Sequence, residues 1–194
     1  MPVPFHAPLF HDLVAGLDPT ARHVVLDLGA ASTATLALLG RLRCRVEVVD
    51  LAHFVGIDTL NTAEPGPELA SAADALLPCP PPDDAFDLVL FWDLPNYLTL
   101  NALSALMNTI RNRARPGALA HALIFYAQRD MGKYPGRFVP TADGGLMDLS
   151  APSDAIAAPR YSPEELDKSM GRFAIDRARL LSNGMQEFLF QLES

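Results

Sequence analysis

His23-Val-Val-Leu-Asp-Leu-Gly-Ala-Ala-Ser-Thr-Ala-Thr-Leu-Ala-Leu-Leu39, followed by Val46-Glu-Val-Val-Asp50, is the stretch that decides the fold. Val24, Val25, Leu26 and Leu28 form a short apolar strand, Gly29 permits a tight turn, and the Ala/Leu-rich segment from Thr33 to Leu42 suits a helix lying flat on a sheet. A second strand follows and closes on Asp50. The start of such a helix aims unpaired backbone N–H groups at the space above the strand's carboxyl end, where open α/β sheets bind ligands. Asp50 lies about 20 positions beyond Gly29, the distance at which nucleotide-binding βαβ units set a carboxylate on ribose hydroxyls. The unit reads as a nucleoside site, the plain alternative for Asp50 being a strand-end carboxylate facing water.

The 194 residues support one domain, 1–194, with a sizeable core. Hydrophobic residues make up 49% of the chain and the formal net charge is −8. That charge argues against wrapping a phosphate backbone, so nucleic acid is not an expected partner. No apolar run approaches the roughly 20 residues that cross a bilayer, and MPVPFHAPLF lacks the pattern of a secretory leader. A cytoplasmic protein without a membrane partner is expected. Cys44 and Cys79 read as reduced thiols, and the five histidines show no metal-ligand spacing, so no metal is expected.

Around the opening unit the chain alternates helices and strands. Leu9, Leu13 and Leu17 predict a helix over Pro8 to Leu17 that covers one edge of the first strand, within an N-terminal cover of residues 1–22. Leu51 to Asn61 reads as a short helix and Leu69 to Ala73 as a brief strand. After the proline-rich loop Pro78 to Asp84, Phe86 to Trp92 is a buried parallel strand ending at Asp93. A helix over Leu100 to Arg113, with Thr99 as N-cap, leads through Pro116-Gly117 to a second buried strand over Ala118 to Tyr126. The stretch 127–161 carries many glycines and prolines without sustained periodicity and reads as a variable loop insertion. Ser162-Pro-Glu-Glu165 then starts a helix through a capping box, and Asn183-Gly184 joins two strands into a terminal hairpin. The fold class is α/β, a Rossmann-like, doubly wound, mostly parallel sheet with a C-terminal antiparallel β-hairpin.

Val25-Leu-Asp-Leu-Gly29, Val48-Val-Asp50, Ala73-Asp-Ala-Leu-Leu-Pro78 leading to Phe86-Asp-Leu-Val-Leu90, and Arg115-Pro-Gly117, in this order, resemble the class I S-adenosylmethionine-dependent methyltransferases. The resemblance covers about Val24 to Leu192 and implies S-adenosylmethionine as cofactor. It implies that Asp27 sits near the methionine amino group and that Gly29, Ala30 and Ala31 pass under the cofactor. Asp50, with Leu51 beside it, would meet the ribose hydroxyls, and Asp74 with Ala75 the adenine amine. Asp93, Asn96 and Tyr97 follow the fourth strand, where cofactor tail and acceptor meet. The family's Gly-x-Gly-x-Gly turn appears here as Gly29-Ala30-Ala31-Ser32-Thr33. A Cβ at Ala31 and Thr33 disfavours positive φ by roughly 1 to 2 kcal/mol and is harmless at negative φ.

A nicotinamide dehydrogenase would need a glycine where Ala31 stands, because backbone must approach a pyrophosphate there. With Lys133 and Lys168 the only lysines, a P-loop is also missing. Asp93 reads either as a general base or as a loop former before Leu94-Pro95, Trp92 as a core aromatic, and His53 as a loop residue close to the adenine position. Arg129, Lys133 and Arg137 with Tyr126 and Tyr134 form a basic-aromatic patch, either facing an anionic substrate or solvated. Methyl transfer needs in-line approach in a water-free site more than a dedicated catalytic group. The expected function is therefore S-adenosylmethionine-dependent methylation of an unidentified small molecule, with Asp93, Asn96, Tyr97 and Tyr126 orienting the acceptor. The alternative is a catalytically inactive protein of the same fold acting as a binding or regulatory partner, motivated by Ala31 and Thr33.

Overall fold

A computed structural model describes residues 4–53 and 55–193. The first three residues of the expected N-terminal cover lie outside this range. In chain order the elements are β1 (Pro4–Phe5), α1 (Pro8–Ala15), β2 (Arg22–Asp27), α2 (Thr33–Leu39), β3 (Arg43–Val48), α3 (Gly56–Thr62), α4 (Pro67–Leu76), β4 (Phe86–Trp92), α5 (Leu100–Arg111) and β5 (Ala114–Phe125). Within the insertion come β6 (Asp130–Gly132), β7 (Phe138–Pro140), β8 (Leu146–Asp148) and β9 (Ala155–Ala157). The chain ends with α6 (Pro163–Met170), β10 (Phe173–Leu180) and β11 (Met185–Leu192).

Six strands form the central sheet in the order β10-β11-β5-β4-β2-β3. Strands β3, β2, β4 and β5 run parallel, β11 runs antiparallel to β5, and β10 lies antiparallel to β11, as the hairpin at Asn183-Gly184 requires. Gly184 takes φ 83°, which a side chain rarely tolerates. Alternation along the inner strands sends Val24, Leu26, Val89 and Phe91 into a core shared with α3, α4, α5 and α6, and sends Val25, Leu88 and Leu90 into a second core under α1. Between β3 and β4 the chain forms α3 and α4, so the strand expected over Leu69 to Ala73 is helix. Pro67 at the start of α4 and Leu69 and Ala73 one turn apart on its buried side favour that outcome.

Capping residues behave as their types dictate. Thr99 Oγ1 accepts from Ala102 N at 3.2 Å, and Ser162 and Glu165 complete the capping box. The insertion is built from short ribbons: β6 pairs with β9, while β7 pairs with β8, which in turn takes β1 of the N-terminal segment as a partner.

Helix α1 departs from expectation. It packs on β10 and β11 rather than over the edge of β2. The reason is a buried carboxylate: Glu187 on β11 accepts from Leu9 N at 3.0 Å and Phe10 N at 2.7 Å, satisfying donors that a helix start leaves open. His121 Nε2 lies 2.9 Å from the same carboxylate, and both side chains are fully buried. Glu187→Ala would strand two backbone N–H groups and the imidazole in an apolar layer. We expect a loss of about 3 kcal/mol in urea unfolding, with Glu187→Gln losing less because an acceptor oxygen remains.

Candidate functional site

The sheet reverses its winding at β2, whose neighbours are β3 on one side and β4 on the other. Open α/β sheets hold ligands above such a switch point. A cleft of about 220 Å³ lies there, bordered by Leu28, Gly29 and Ala30 after β2, by Asp50 and His53 after β3, by Trp92 and Asp93 at the end of β4, and by Tyr134–Arg137 of the insertion. The same Tyr134–Arg137 segment borders a second cleft of about 1270 Å³ within the insertion, which Asp93 and Tyr97 also line.

The turn after β2 needs none of the replaced glycines. Apart from glycines, only Val55 and Trp92 have positive φ among the described residues, so Ala31 and Thr33 sit where a Cβ is tolerated. Ala31 is exposed, and Ser32 N-caps α2 by accepting from Thr35 N. Asp50 Oδ1 accepts from His53 N at 3.1 Å, an arrangement that folds the chain after β3 back beside the cleft.

Asp27 is buried directly beneath. Its Oδ1 accepts from Gly29 N at 3.0 Å and from the indole Nε1 of Trp92 at 2.7 Å. Burial pushes its carboxyl up to about 6, against those two hydrogen bonds. Trp92 has φ 52°, and the β4–β5 register slips between Leu90 and Trp92. A bulky residue held left-handed stores strain of order 1–2 kcal/mol, a cost seen where a site over-determines the backbone. The indole is held between Phe10 at 5.6 Å and Phe138 at 6.4 Å and covers Gly29 so closely that a Cβ there would collide with Trp92 Cδ1. Trp92 is thus more than the core aromatic expected from its apolar strand. Its signal was an aromatic side chain at a strand's carboxyl end, immediately before an acid.

Asp93 is buried and accepts from Gly136 N with both carboxylate oxygens, at 3.0 and 2.8 Å. Burial pushes it up to about 7, with the Asp148 carboxylate adding to the rise. The Tyr97 hydroxyl reaches the carbonyls of Gly132 at 3.0 Å and Tyr134 at 2.8 Å, and burial holds it above its ordinary range. Asn96 donates to the carbonyls of Asp93 and Leu123 and accepts from Phe125 N. Its amide is spent on tying the Leu94–Tyr97 turn to β5, which corrects its expected role toward an acceptor.

Gly29, Ala30, Asp50 and Asp93 come together around the small cleft, with Asp27 behind Trp92. Four other expected cofactor residues stand elsewhere. Ala31 turns to solvent, and Leu51 is a fully buried member of the α3–α4 core. Asp74 pairs with Arg113 beside the amino ends of β4 and β5, the opposite end of the sheet, and Ala75 lies exposed next to it. With no strand between β3 and β4, the helix that replaces it carries Asp74 and Ala75 away from the cleft.

The cleft fits S-adenosylmethionine only in part. The side bounded by Leu28, Ala30, Asp50 and His53 offers an apolar slot and a carboxylate suited to a nucleoside. The Asp27 side is filled by the indole, and the open volume falls below the roughly 300–1,000 Å³ of drug-sized ligand sites.

No protein-family model matches the sequence, and neither does any curated protein. Solved structures do match in fold. An S-adenosylmethionine-dependent methyltransferase from Methanosarcina mazei superposes with a TM-score of 0.56 at 15% identity, covering 96% of this chain and 98% of that one. The 1,6-didemethyltoxoflavin-N1-methyltransferase of Burkholderia thailandensis, solved with 1,6-didemethyltoxoflavin and S-adenosylhomocysteine, gives 0.50 at 18% identity, covering 96% and 76%. An S-adenosylmethionine-dependent methyltransferase from Clostridium acetobutylicum gives 0.51 at 15%, covering 96% and 97%. The chain has the class I methyltransferase fold.

The raised carboxyls give a pH signature. Between the ordinary value of 3.8 and about 7 the folded chain keeps a proton on Asp93 that the unfolded chain has released. Stability from this group therefore falls as pH rises through that window. Asp27 contributes with the same sign up to about 6. The lowered carboxyls Asp18, Asp84, Asp143 and Glu165 act in the opposite sense. We therefore expect the difference in urea midpoint between Asp93→Asn and the parent to shift in favour of the variant as pH rises.

Proposed function

We propose that this chain is an S-adenosylmethionine-dependent methyltransferase acting on a small molecule. The observation that carries the reading is the cleft at the switch point of a methyltransferase fold, with Asp50 at the carboxyl end of β3 facing the Leu28–Ala30 turn. When bound, the cofactor supplies an electrophilic methyl group. The residues of this chain contribute binding and shielding. Asp50 offers a carboxylate to paired hydroxyls, and Tyr134–Arg137 forms a wall between the small cleft and the larger one that would receive the acceptor. Asp93 lines both clefts, and its raised carboxyl is the group we assign to holding a proton from the acceptor. Tyr97 lines the larger cleft and anchors the insertion through Gly132 and Tyr134.

A second reading is favoured by the indole over Gly29: a protein of this fold that binds a nucleoside and serves a partner without catalysis. The net charge of −8 and the mixed lining of the larger cleft support a small molecule over nucleic acid as occupant. No described helix is long and apolar enough to cross a membrane.

Titration calorimetry with S-adenosylmethionine and S-adenosylhomocysteine tests the cofactor assignment. Absence of binding by both at millimolar concentration refutes it. Asp50→Ala should weaken the affinity about 10-fold to 100-fold, the equivalent of one or two charge-assisted hydrogen bonds. Conversion of adenosylmethionine to adenosylhomocysteine across a panel of small acceptors separates the catalytic from the binding reading.

A further inference from the structure

The cleft at the switch point is open at one end and sealed at the other. At the open end stand Asp50 and His53, backed by Leu28 and Ala30. At the sealed end the indole of Trp92 lies on Gly29, its Nε1 donating to Asp27 Oδ1 at 2.7 Å. Three features hold it there. Phe138 of the insertion stacks on the indole at 6.4 Å with 14° between planes, Phe10 of α1 backs it at 5.6 Å, and Trp92 itself is only 4% exposed. Resting on the second reading above, that of a nucleoside-binding protein without catalysis, we propose that Trp92 is the specificity-determining residue of this site, filling the space beside Asp27 so that the cleft selects nucleosides without an α-amino-acid tail.

The chemistry at each end supports this selection. A nucleoside presents vicinal hydroxyls, which a carboxylate such as Asp50 accepts well, and an apolar base face for Leu28 and Ala30. An amino-acid tail brings an ammonium and a carboxylate. Its ammonium would need room beside Asp27, and the indole that donates to Asp27 Oδ1 fills that space. Admitting the tail requires the indole to leave Asp27, Phe10 and Phe138 together. Phe138 belongs to the insertion, which Asp93 grips two residues earlier through Gly136 N. Admission of the tail is thereby tied to the segment that borders the acceptor cleft.

The protein reports on this directly, because Trp92 is its sole tryptophan. The experiment compares binding of adenosine, 5′-methylthioadenosine and S-adenosylhomocysteine by calorimetry, with indole emission and acrylamide quenching recorded at saturation. We expect the two tail-free nucleosides to bind at least 10-fold more tightly than S-adenosylhomocysteine and to leave emission and quenching unchanged. Adenosylhomocysteine, once bound, should shift emission to the red and raise quenching, as the indole leaves its apolar contacts. Trp92→Gly, which suits the left-handed backbone, should narrow the preference to within about 3-fold. The intact protein's own preference decides the matter should that variant not fold. Adenosylhomocysteine binding as tightly as the nucleosides, whether or not the indole moves, overturns the Trp92 assignment and leaves nucleoside binding standing. Absence of binding by all three overturns both.

Discussion

The left-handed backbone at Trp92 is the constraint around which the ligand-binding end of the sheet is organised. It ends β4, coincides with the slip in register against β5, and is followed at once by Asp93. On one side of that point the indole meets Asp27 and Gly29; on the other the carboxylate of Asp93 meets Gly136. Adjacent residues thus commit to two different parts of the chain, the turn after β2 and the insertion after β5. A straight strand end would send both side chains along the ordinary alternation and tie neither segment.

Three buried carboxylates recur as one device. Asp27, Asp93 and Glu187 each accept backbone N–H groups from segments that the central ladder does not reach: the β2 turn, the insertion and the start of α1. Burying a carboxylate is unfavourable unless its hydrogen bonds are supplied, so each position tolerates the charge only with its segment in place. The result is a specification of loop position that apolar packing, being non-directional, does not provide. Asn96 plays the neutral version of the same part between the Leu94–Tyr97 turn and β5.

Much of the architecture was legible because local chemistry and global packing agree. The apolar run at Val24 to Leu28, the Thr99 and Ser162 caps and the Asn183-Gly184 turn all produce the elements they signal. The misreadings share a cause. Leu69 to Ala73 is too short an apolar window to separate strand from helix, and the decision falls to packing against α5. For Asp74 and Ala75 the order along the chain carries no information about which way α4 faces. The insertion looked structureless because strands of three residues leave no period to detect, and their pairing with β1 is a contact across most of the chain. Trp92 was hidden by its neighbours, an apolar residue in an apolar strand whose geometry alone sets it apart.

The two rims of the sheet differ from its interior in charge. Strand β3 is the outermost parallel strand and carries Arg43, Arg45 and Glu47 at alternate positions, with Arg45 and Arg22 both clamped by Asp84. Strand β10, at the far rim, carries Asp176, Arg177 and Arg179 and a bulge between Ile175 and Arg177. An incoming strand from another polypeptide would have to desolvate those charges at one rim and follow a kinked, arginine-lined backbone at the other. The sheet therefore ends where it does by electrostatic and geometric exclusion, which disfavours edge-to-edge polymerisation.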